Sequence, residues 1–551
     1  MPYYLGVDVG TGSVRSAVVS IKGQVVSVAT KPIQIWSPQT GHYEQSSRDV
    51  WSAVVDTIQT AVSKSGVNKE DIRGIGFDAT CSLVVLDRGG APVSVNHSGS
   101  EEQDIVMWMD HRAEDQAKRI NATNHEVLKY VGGTISLEMQ APKLLWLKEK
   151  LHNTCWSKAG LLFDLPDFLT WKATGSSSRS LCSLVCKWNY QAGHHGNQGW
   201  SEDYFSQISL QDLMDSDNTK IGTEGKPPGS PCGDGLSQDA AEEMGLAPGI
   251  AVGASMIDAY AGALGCMGCI PRSEVNYNLP DITSRLVLVC GTSTCHMIVS
   301  KMEVFVPGVW GPFYSSILPG LWTTEGGQST TGKLIDFIVQ SHPAYQEVKT
   351  AAQERNIHEH DIINEVLEKQ AKQRNLPSVC ELTEDLHIWP DFHGNRSPLA
   401  DPTLKGMICG LTLNCDMNDL ALKYLATIQA IAYGTKHIIQ EMRGKGLDVS
   451  VMYMCGGLRK NSVYLKTHVD VTGLPLILPD EEESVLVGAA MLGACASNDF
   501  PSLEVAMETM GGSGTIVLPS TADKSYHEKK FRVFLEMVAD QRKYDVIMSS
   551  K

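Results

Sequence analysis

A strand–turn–strand pattern that occurs twice places the strongest limit on how this chain can fold. Residues 3–9 and 14–19 are rich in β-forming side chains, and Gly10-Thr-Gly12 between them predicts a tight turn, because glycine accepts positive φ. The pattern returns at 285–299, where the turn is Gly291-Thr-Ser-Thr294. Two copies about half a chain apart indicate a duplication.

The two copies predict two domains of one topology, at 1–270 and 285–551, with the polar run 271–284 as the boundary between them. Helices are predicted at 49–63, 136–175, 343–375, 421–442 and 481–496, and further strands at 24–30, 72–77, 83–86, 449–455 and 474–478. Strands that alternate with helices are typical of the α/β class. The charged stretch 343–375 is interpreted as a solvated helical insertion that carries no chemistry.

Composition excludes several classes of protein. The chain has 551 residues, of which 42% are hydrophobic and 20% charged, which excludes a disordered chain, a collagen and a coiled coil. Its formal net charge is −17. Because an acidic surface is repelled by nucleic acid and by anionic lipid, we expect neither as a partner. Backbone N–H groups can still bind phosphate locally.

The cysteines and the N-terminus both favour a cytoplasmic location. Fourteen cysteines are scattered through the chain, mostly in apolar runs, as is usual for reduced core thiols. The first eight residues have neither the basic nor the apolar region of a signal peptide. The small-residue segment 249–271 is interrupted by Asp258, so we expect a close-packed soluble segment. The sequence is compatible with a homo-oligomer.

The first turn has the composition of a phosphate cradle. Two glycines in a hairpin turn present several backbone N–H groups to one point, and nearby hydroxyls add donors. Asp8 lies at the end of the strand, where a carboxylate can hold hydrated Mg²⁺. An ordinary glycine-rich hairpin is the alternative. The candidate nucleotide-binding residues of this segment are Gly10, Thr11, Gly12, Ser13 and Arg15.

Two later turns extend this interpretation. Gly291, Thr292 and Ser293 form the second turn, and two facing hairpins can clamp a triphosphate from both domains. Gly456-Gly457, followed by Asn461, comes after a predicted buried strand. Glycines there let a flat ring such as adenine lie against the backbone, although a plain strand-to-helix turn is the alternative. The chain contains no GxxxxGK[ST] motif, so this is not a Walker site.

With this order of turns, the chain resembles the actin-like ATPases, and specifically the FGGY family of carbohydrate kinases, over almost its whole length. It is most similar to the ribulokinase and ribitol-kinase side of that family. The motifs that carry the resemblance are Gly76-Phe-Asp-Ala-Thr-Cys-Ser82, Trp108-Met-Asp-His-Arg112, Pro142-Lys-Leu-Leu-Trp146, Ser255-Met-Ile-Asp258, Glu325-Gly-Gly-Gln-Ser329 and Gly394-Asn-Arg-Ser-Pro398.

The resemblance implies two actin-like, ribonuclease-H-like ATPase domains with a cleft between them, and ATP with Mg²⁺ as cofactors. A sugar kinase works mainly by positioning and charge neutralisation, helped by a base near the attacking oxygen. Asp258 is the candidate base. Its position alone fits equally well an Asp that caps a helix, and the two roles are compatible.

The resemblance also indicates where a sugar would bind. Paired carboxylates bind vicinal hydroxyls, and Asp110 and Glu325 are the candidates. Lys187 resembles a family lysine that contacts the carbonyl side of the sugar. For Asp110 the alternative is a surface ion-pair cluster, and for Lys187 a solvated lysine. Thr80, Trp108 and Asp258 complete the set of expected sugar-pocket residues.

The implied function is ATP-dependent phosphorylation of a pentulose, with D-ribulose and its O5 as first choice. The small-molecule partners are therefore a sugar and ATP. Kinases for ribitol, L-ribulose or xylulose are alternatives within the enzymes. A non-catalytic actin-like ATPase is an alternative of another class, although it would have no need of a polyol pocket.

Overall fold

The computed structural model of the chain describes residues 1–193, 199–215, 219–272 and 277–549. Its two large sheets are the centres of two α/β lobes. In chain order the strands are β1 (Tyr3–Val9), β2 (Ser13–Ser20), β3 (Val25–Pro32), β4 (Glu44–Gln45), β5 (Ile72–Ala79), β6 (Leu83–Leu86), β7 (Ile105–Val106), β8 (Leu161–Asp164), β9 (Arg179–Ser180), β10 (Gly225–Lys226), β11 (Ala251–Val252), β12 (Met256–Ile257), β13 (Ile270–Pro271), β14 (Arg285–Cys290), β15 (Thr294–Ser300), β16 (Trp310–Tyr314), β17 (Trp322–Gln328), β18 (His387–Trp389), β19 (Met407–Cys409), β20 (Val451–Cys455), β21 (Leu476–Pro479) and β22 (Ser513–Val517).

The helices lie between and outside the sheets. They are α1 (Ser47–Ser65), α2 (Glu114–Ala122), α3 (Gln140–Lys150), α4 (Leu165–Thr174), α5 (Leu181–Lys187), α6 (Glu202–Gln207), α7 (Gln238–Met244), α8 (Asp258–Met267), α9 (Gly332–Gln340), α10 (Tyr345–Arg355), α11 (Glu359–Gln373), α12 (Met417–Gly444), α13 (Ser462–Thr472), α14 (Ser484–Ala496), α15 (Leu503–Met510) and α16 (Lys524–Ser549).

The sheet of the first lobe, here the N-lobe, has the strand order β11-β5-β1-β2-β3, with β12 also paired to β5. β1 and β2 form the predicted antiparallel hairpin, with Val9 opposite Val14. β5 lies parallel to β1. Six of the seven residues of β1 are buried, because α1 packs on one face of this sheet and α14 on the other. Because β5 runs parallel to both β1 and β12, the carboxyl ends of these three strands meet at one edge of the sheet.

The sheet of the second lobe, the C-lobe, repeats this arrangement. Its strand order is β13-β22-β21-β20-β14-β15-β17-β16. β14 and β15 form an antiparallel hairpin with Cys290 opposite Thr294, and β20 lies parallel to β14. The α/β class and the recurrence of the hairpin are confirmed.

Two small-residue helices, α8 and α14, join the lobes. A Cβ added to Gly6 of β1 would lie 2.0 Å from the carbonyl oxygen of Leu486 in α14, and one added to Gly265 of α8 would lie 1.9 Å from that of Ser484. Only glycine permits these approaches. The helix predicted at 481–496 thus packs against the sheet of the N-lobe, although it belongs to the second half of the chain.

The boundary run predicted at 271–284 lies partly outside the described residues. In the part that the structure describes, Ile270–Pro271 already pairs with β22 of the second sheet, and Ile282–Ser284 form a 3-10 turn before β14. The chain therefore enters the second sheet directly after α8.

Two further predictions concern the cysteines and the membrane. All fourteen cysteines lie in the described ranges and are free thiols, with Cys266 and Cys269 buried in the core. No helix among the described residues has the length and apolarity needed to cross a lipid bilayer.

Candidate active site

The first hairpin turn is tied to the N-lobe by side chains that reach it from elsewhere. The Gly10 N–H donates to the Ser13 carbonyl at 3.0 Å, and the Trp108 indole donates to the Thr11 hydroxyl at 3.0 Å. Gly10 and Gly12 both have φ outside the left-handed region, so the prediction that positive φ requires glycine here is wrong. A Cβ atom added to Gly10 or Gly12 would meet no neighbour closer than 3.7 Å, so the space beside both glycines is open.

The second turn rests on the start of α9. The Gly291 N–H donates to the Ser293 carbonyl at 2.9 Å, and the N–H groups of Thr331 and Lys333 donate to the Thr292 carbonyl at 2.9 and 3.2 Å. Gly291 and Thr292 are exposed. This turn is therefore hydrogen-bonded to the start of α9 on one side and exposed to solvent on the other.

The third turn packs directly against the strand that leads into the second. Gly456 has φ of 90°, and an added Cβ would lie 2.1 Å from the Cys290 carbonyl oxygen, so only glycine fits. An added Cβ on Gly457 would meet nothing within 4 Å. Asn461 caps α13 by accepting from the Tyr464 N–H at 3.1 Å. Second and third turns are thus neighbours at one edge of the C-lobe sheet.

A cavity of about 460 Å³ lies between α9, α10 and the start of α11. His360, which lines it, lies 3.4 Å from the Asn461 amide. That amide also donates to the Tyr424 hydroxyl at 2.6 Å. The stretch 343–375 is helical as predicted, but it walls a cavity beside the third turn instead of being only a solvated insertion. The lining residues used below are Asp336, Tyr345, His358 and His360.

Three carboxylates lie at the carboxyl ends of the N-lobe strands β1, β5 and β12. Asp8 and Asp78 are register partners on β1 and β5, and Asp258 is the first residue after β12. Arg15 binds Asp8 at 2.5 Å and Glu483 at 2.6 Å. The guanidinium predicted to bind nucleotide is thus already paired with two carboxylates at the first turn.

Asp258, the candidate base, lies at the start of α8 and has a raised pKa. It is the first residue of α8, and its carboxylate accepts from the Ala259 N–H at 2.7 Å. Burial, and then the negative charge of Asp8, raises the pKa of Asp258 to about 7, while the Ala259 hydrogen bond and Lys187 act in the other direction. A carboxylate with such a pKa is suited to general base catalysis near neutral pH.

Glu325 belongs to the C-lobe strand β17 and is buried, with 2% of its surface exposed. The Tyr260 hydroxyl of α8 donates to one carboxylate oxygen at 2.7 Å. Arg396 binds the other oxygen at 2.5 Å. Both oxygens have a donor and retain lone pairs, so the carboxylate is fixed in place while it can still accept from hydroxyls.

Lys187 ends α5 and is buried, not solvated, with 3% of its surface exposed. Its ammonium lies 3.5 Å from Glu138 and 4.5 Å from the centre of the Trp310 ring. Burial alone would lower the pKa of Lys187, but Cys81 and then Glu138 and Glu325 outweigh it and raise the pKa. Lys187 is therefore a buried cation beside Glu138 and Trp310.

Asp110 is arranged differently from Glu325. Arg112 binds both of its oxygens, at 2.9 and 2.8 Å, and the Tyr43 N–H donates to one of them at 2.7 Å. Arg112 also binds Glu44 at 2.8 Å. This favours the alternative of an ion-pair cluster, although the cluster is buried instead of lying at the surface.

Two other expected pocket residues lie close to the first turn. The Thr80 hydroxyl is 3.2 Å from that of Ser82, and the Ser82 hydroxyl accepts from the Trp108 N–H. Since Trp108 also bonds to Thr11, these residues connect the end of β5 to the first turn.

The carboxylates suit a magnesium ion that keeps most of its water. No group of three or more His, Cys, Asp or Glu side chains in the described ranges could hold a metal ion by itself. Oxygen donors are the ligands that Mg²⁺ prefers, and it commonly binds through one or two carboxylates plus phosphate oxygens. Asp8, at the first turn, fits a contact of this kind through water.

Comparison with known families decides the class of protein. Residues 3–187 match the N-terminal domain of the FGGY family of carbohydrate kinases, and residues 286–497 match its C-terminal domain. The chain belongs to the FGGY family of carbohydrate kinases. FGGY kinases use ATP and, in general, a divalent metal ion, so a sugar and ATP are the substrates of this FGGY kinase.

Individual relatives agree with this assignment. The FGGY kinase described here is 53% identical to an FGGY carbohydrate kinase domain-containing protein of Xenopus laevis, over 99% of this chain and 98% of that protein. It is 39% identical to a D-ribulokinase of Saccharomyces cerevisiae, over 90% of this chain and 72% of that protein. The solved xylulose kinase of Rhodospirillum rubrum has the same fold, with a TM-score of 0.78 at 18% identity over 98% of this chain and 99% of that one.

Four residues of the cleft have no predicted role, namely Glu138, Tyr260, Trp310 and Arg396. Only Arg396 lies in a motif that carries the family resemblance, Gly394–Pro398, and that motif alone does not say what the arginine contacts. Glu138 lies in the turn before α3, Tyr260 in α8 and Trp310 at the start of β16, and no motif quoted above includes them. Their proximity depends on which strands pair, which local sequence does not determine.

Proposed function

We propose that this FGGY kinase transfers the γ-phosphoryl group of ATP to O5 of D-ribulose, giving D-ribulose 5-phosphate and ADP. The observation that carries the proposal is that Asp258, Lys187 and Glu325 lie close together, since the charges of Lys187 and Glu325 both act on the pKa of Asp258. The D-ribulokinase relative in yeast supports the choice of sugar.

In this proposal ATP lies across the cleft. The N–H groups and hydroxyls of the first and second turns bind its phosphates from opposite lobes. The adenine follows the third turn past Gly457 toward the cavity beside Asn461, where Tyr345, His358 and His360 offer flat rings and polar edges. Mg²⁺, when bound with ATP, would neutralise charge on the phosphate oxygens.

The sugar lies deeper, between Lys187 and Glu325. Glu325 accepts hydrogen bonds from hydroxyls, and the Lys187 ammonium donates to the carbonyl oxygen that distinguishes a ketose from a polyol. Thr80 and Trp108 close the pocket toward the first turn. Asp110 supports the neighbouring loop through Arg112 and leaves the hydroxyls to Glu325.

Asp258 is assigned the base. It takes the proton of the O5 hydroxyl while that oxygen forms a bond to the γ-phosphorus, and the bond from this phosphorus to the leaving ADP oxygen breaks. Tyr260, two residues further along α8, orients Glu325, so base and sugar acceptor are linked through one helix. We also propose that the enzyme acts in the cytoplasm, where its fourteen free thiols stay reduced.

A substrate panel followed by ADP release tests the proposal. D-ribulose should give the highest catalytic efficiency, ribitol should follow because it lacks only the carbonyl, and glycerol should be poor because it leaves buried polar groups unpaired. L-ribulose and D-xylulose test stereochemistry. If glycerol or D-xylulose is preferred, the sugar assignment fails but the kinase assignment stands. ATP turnover that no sugar stimulates would instead indicate an actin-like ATPase with no sugar substrate.

A further inference from the structure

Four side chains of alternating charge, two buried and two half-buried, form one continuous chain between the lobes. Lys187 lies 3.5 Å from Glu138, Glu138 lies 3.8 Å from Arg396, and Arg396 lies 2.5 Å from Glu325. The exposed fractions of these side chains are 3%, 22%, 10% and 2% in that order. Such a network is effective only when every member has its partner.

The two halves of the network belong to different lobes. Glu138 and Lys187 lie within the N-terminal family domain, and Glu325 and Arg396 lie within the C-terminal one. The contact between Glu138 and Arg396 is therefore made between lobes. Trp310 of the C-lobe lies beside both cations, with its ring centre 4.5 Å from Lys187 and 4.0 Å from Arg396.

The charges of Glu138 and Arg396, the two central members of the network, are both stabilised by their neighbours. Burial alone would raise the pKa of Glu138, but Arg396 and Lys187 outweigh it and lower the pKa. Burial alone would lower the pKa of Arg396, but carboxylates that include Glu138 and Glu325 raise it. Removing one charge would leave its neighbour buried without a full partner, which is costly.

We propose that Glu138 and Arg396 are positioning residues that hold Lys187 and Glu325 at the spacing the sugar requires, and that complete the sugar site only when the lobes are together. This rests on the proposed function, in which Lys187 and Glu325 contact the sugar. Arg396 suits this position because its planar fork reaches two carboxylates at once through separate nitrogens.

The role predicts a particular kinetic signature. Glu138 and Arg396 bind Lys187 and Glu325, the groups assigned to the sugar, and Arg396 also donates to the Cys295 thiol at 3.8 Å, on β15 beyond the second turn. Variants should therefore raise the KM for the sugar far more than the KM for ATP. Glu138→Gln keeps the size of the side chain and removes its charge, and Arg396→Lys keeps the charge but can serve only one of the two carboxylates.

The experiment measures KM and kcat for D-ribulose and the affinity for a non-hydrolysable ATP analogue. Each single variant should raise the sugar KM about 10-fold or more, as expected for the loss of a charge-assisted hydrogen bond. The double variant should cost less than the product of the two single effects, because both act on one network. Affinity for the analogue should change by less than about twofold.

Matched controls separate positioning from general damage. Arg179→Lys changes another buried arginine, which lies 3.8 Å from the Phe163 ring, and Glu149→Gln changes a glutamate that binds Arg119 and Gln116. Both should keep the wild-type sugar KM. Glu138→Asp retains the charge with a shorter reach and should fold even if Glu138→Gln does not, with a sugar KM above that of wild type.

The outcomes are distinct. The inference is overturned if the wild type is active and Glu138→Asp and Arg396→Lys keep its sugar KM, or if sugar KM and analogue affinity change equally. Multiplicative effects in the double variant would also overturn it. Failure of the proposed function shows separately, as the absence of sugar-dependent ADP release by the wild type.

Discussion

Asp8 and Asp78 are register partners on the parallel strands β1 and β5, so two carboxylates share one buried edge of the N-lobe sheet. Among the residues that the structure describes, none donates a hydrogen bond to either oxygen of Asp78. Burial first, and then the charges of Asp8 and Asp258, raises the pKa of Asp78 well above 3.8. Asp78 therefore holds its proton over a pH range in which the unfolded chain has lost it.

Replacement of Asp78 should stabilise the protein near neutral pH. Between pH 3.8 and the raised pKa of Asp78, the native state binds more protons than the unfolded state. The Asp78 carboxyl therefore lowers the free energy of unfolding as pH rises. Asp78→Asn removes that cost, and its amide can donate to Asp8. We expect Tm to rise by about 1–3 °C in calorimetry at pH 7.5 or so.

Asp281→Asn is the matched control for Asp78→Asn. The Thr283 N–H and hydroxyl lower the pKa of Asp281, so its charge stabilises the folded state above the ordinary pKa and its removal should lower Tm slightly. A fall in Tm for Asp78→Asn as large as that for Asp281→Asn would contradict the argument.

The pH dependence of the reaction should report Asp258. Its pKa is raised to about 7, and a general base must be deprotonated, so kcat/KM for the sugar should rise with pH through about 7 and then level off. Below that pH the rate should fall about tenfold per unit. An acidic limb centred near the ordinary pKa of 3.8 would exclude Asp258 as the titrating base.

Asp258→Asn should remove most turnover and leave binding intact. The amide oxygen can still accept from the Ala259 N–H at the start of α8, so the fold should be preserved. A positioned general base contributes roughly 10²–10⁴-fold, and kcat should fall within that range while affinity for ATP stays close to wild type. Retention of about half the wild-type rate would refute the role of the base.

Asp104→Asn provides a matched control for this variant. Burial raises the pKa of Asp104 to about 7 as well, but its carboxylate bonds to Ser47 at the start of α1 and has no assigned role in catalysis. Its kcat should equal that of the wild type.

Local patterns predicted many elements of this fold but few of its long-range contacts. The stretch 136–175, predicted to be mostly helical, contains strand β8 between α3 and α4, because β8 pairs with the distant β6. The hairpins at Gly10 and Gly291 follow from β-rich segments on either side of glycines, which is local information. The ends of helices are less certain from sequence: α12 begins at Met417, before the predicted residue 421, because Asp416 caps it by accepting from the Asp419 N–H.

The candidate site shows the same limit. Asp258, Lys187 and Glu325 lie close enough for their charges to interact, and their joint role with the turns stays a prediction. Glu138 and Arg396 are separated by 258 positions in the chain, and nothing in either local pattern indicates that they meet. The ion pair between Asp110 and Arg112 could not be predicted from sequence either. A carboxylate two residues from an arginine can bind that arginine or a ligand.

Gly10→Val should weaken nucleotide binding without unfolding the turn. Gly10 has φ outside the left-handed region and an added Cβ would lie 3.7 Å from the Ser13 carbonyl oxygen, so valine fits the backbone. Its methyl groups would occupy the space above the turn, and overpacking of this kind typically costs about 1–3 kcal/mol. Calorimetry with ADP should show an affinity loss of about 10-fold or more.

Gly444→Val is the matched control for the turn variant, because an added Cβ on Gly444, at the end of α12, has room and would meet no atom within 4 Å. It should bind ADP as the wild type does. Equal affinity in a folded Gly10→Val protein would remove the first turn from the nucleotide site.

The lobes should close further when both substrates bind. The first turn belongs to the N-lobe and the second to the C-lobe, so phosphates held by both turns draw the lobes together, as in other kinases that close around substrate. In the sugar region the lobes already touch, since Tyr260 of α8 donates to Glu325 of β17. That contact should act as the hinge side of the motion, with the nucleotide side moving more.

Small-angle scattering should therefore give a smaller radius of gyration with D-ribulose and a non-hydrolysable ATP analogue together than with either alone. The starting value is about 24 Å for a compact chain of this length. An unchanged radius with both ligands bound would mean that the two turns already stand at their final separation, and that closure is no part of the reaction.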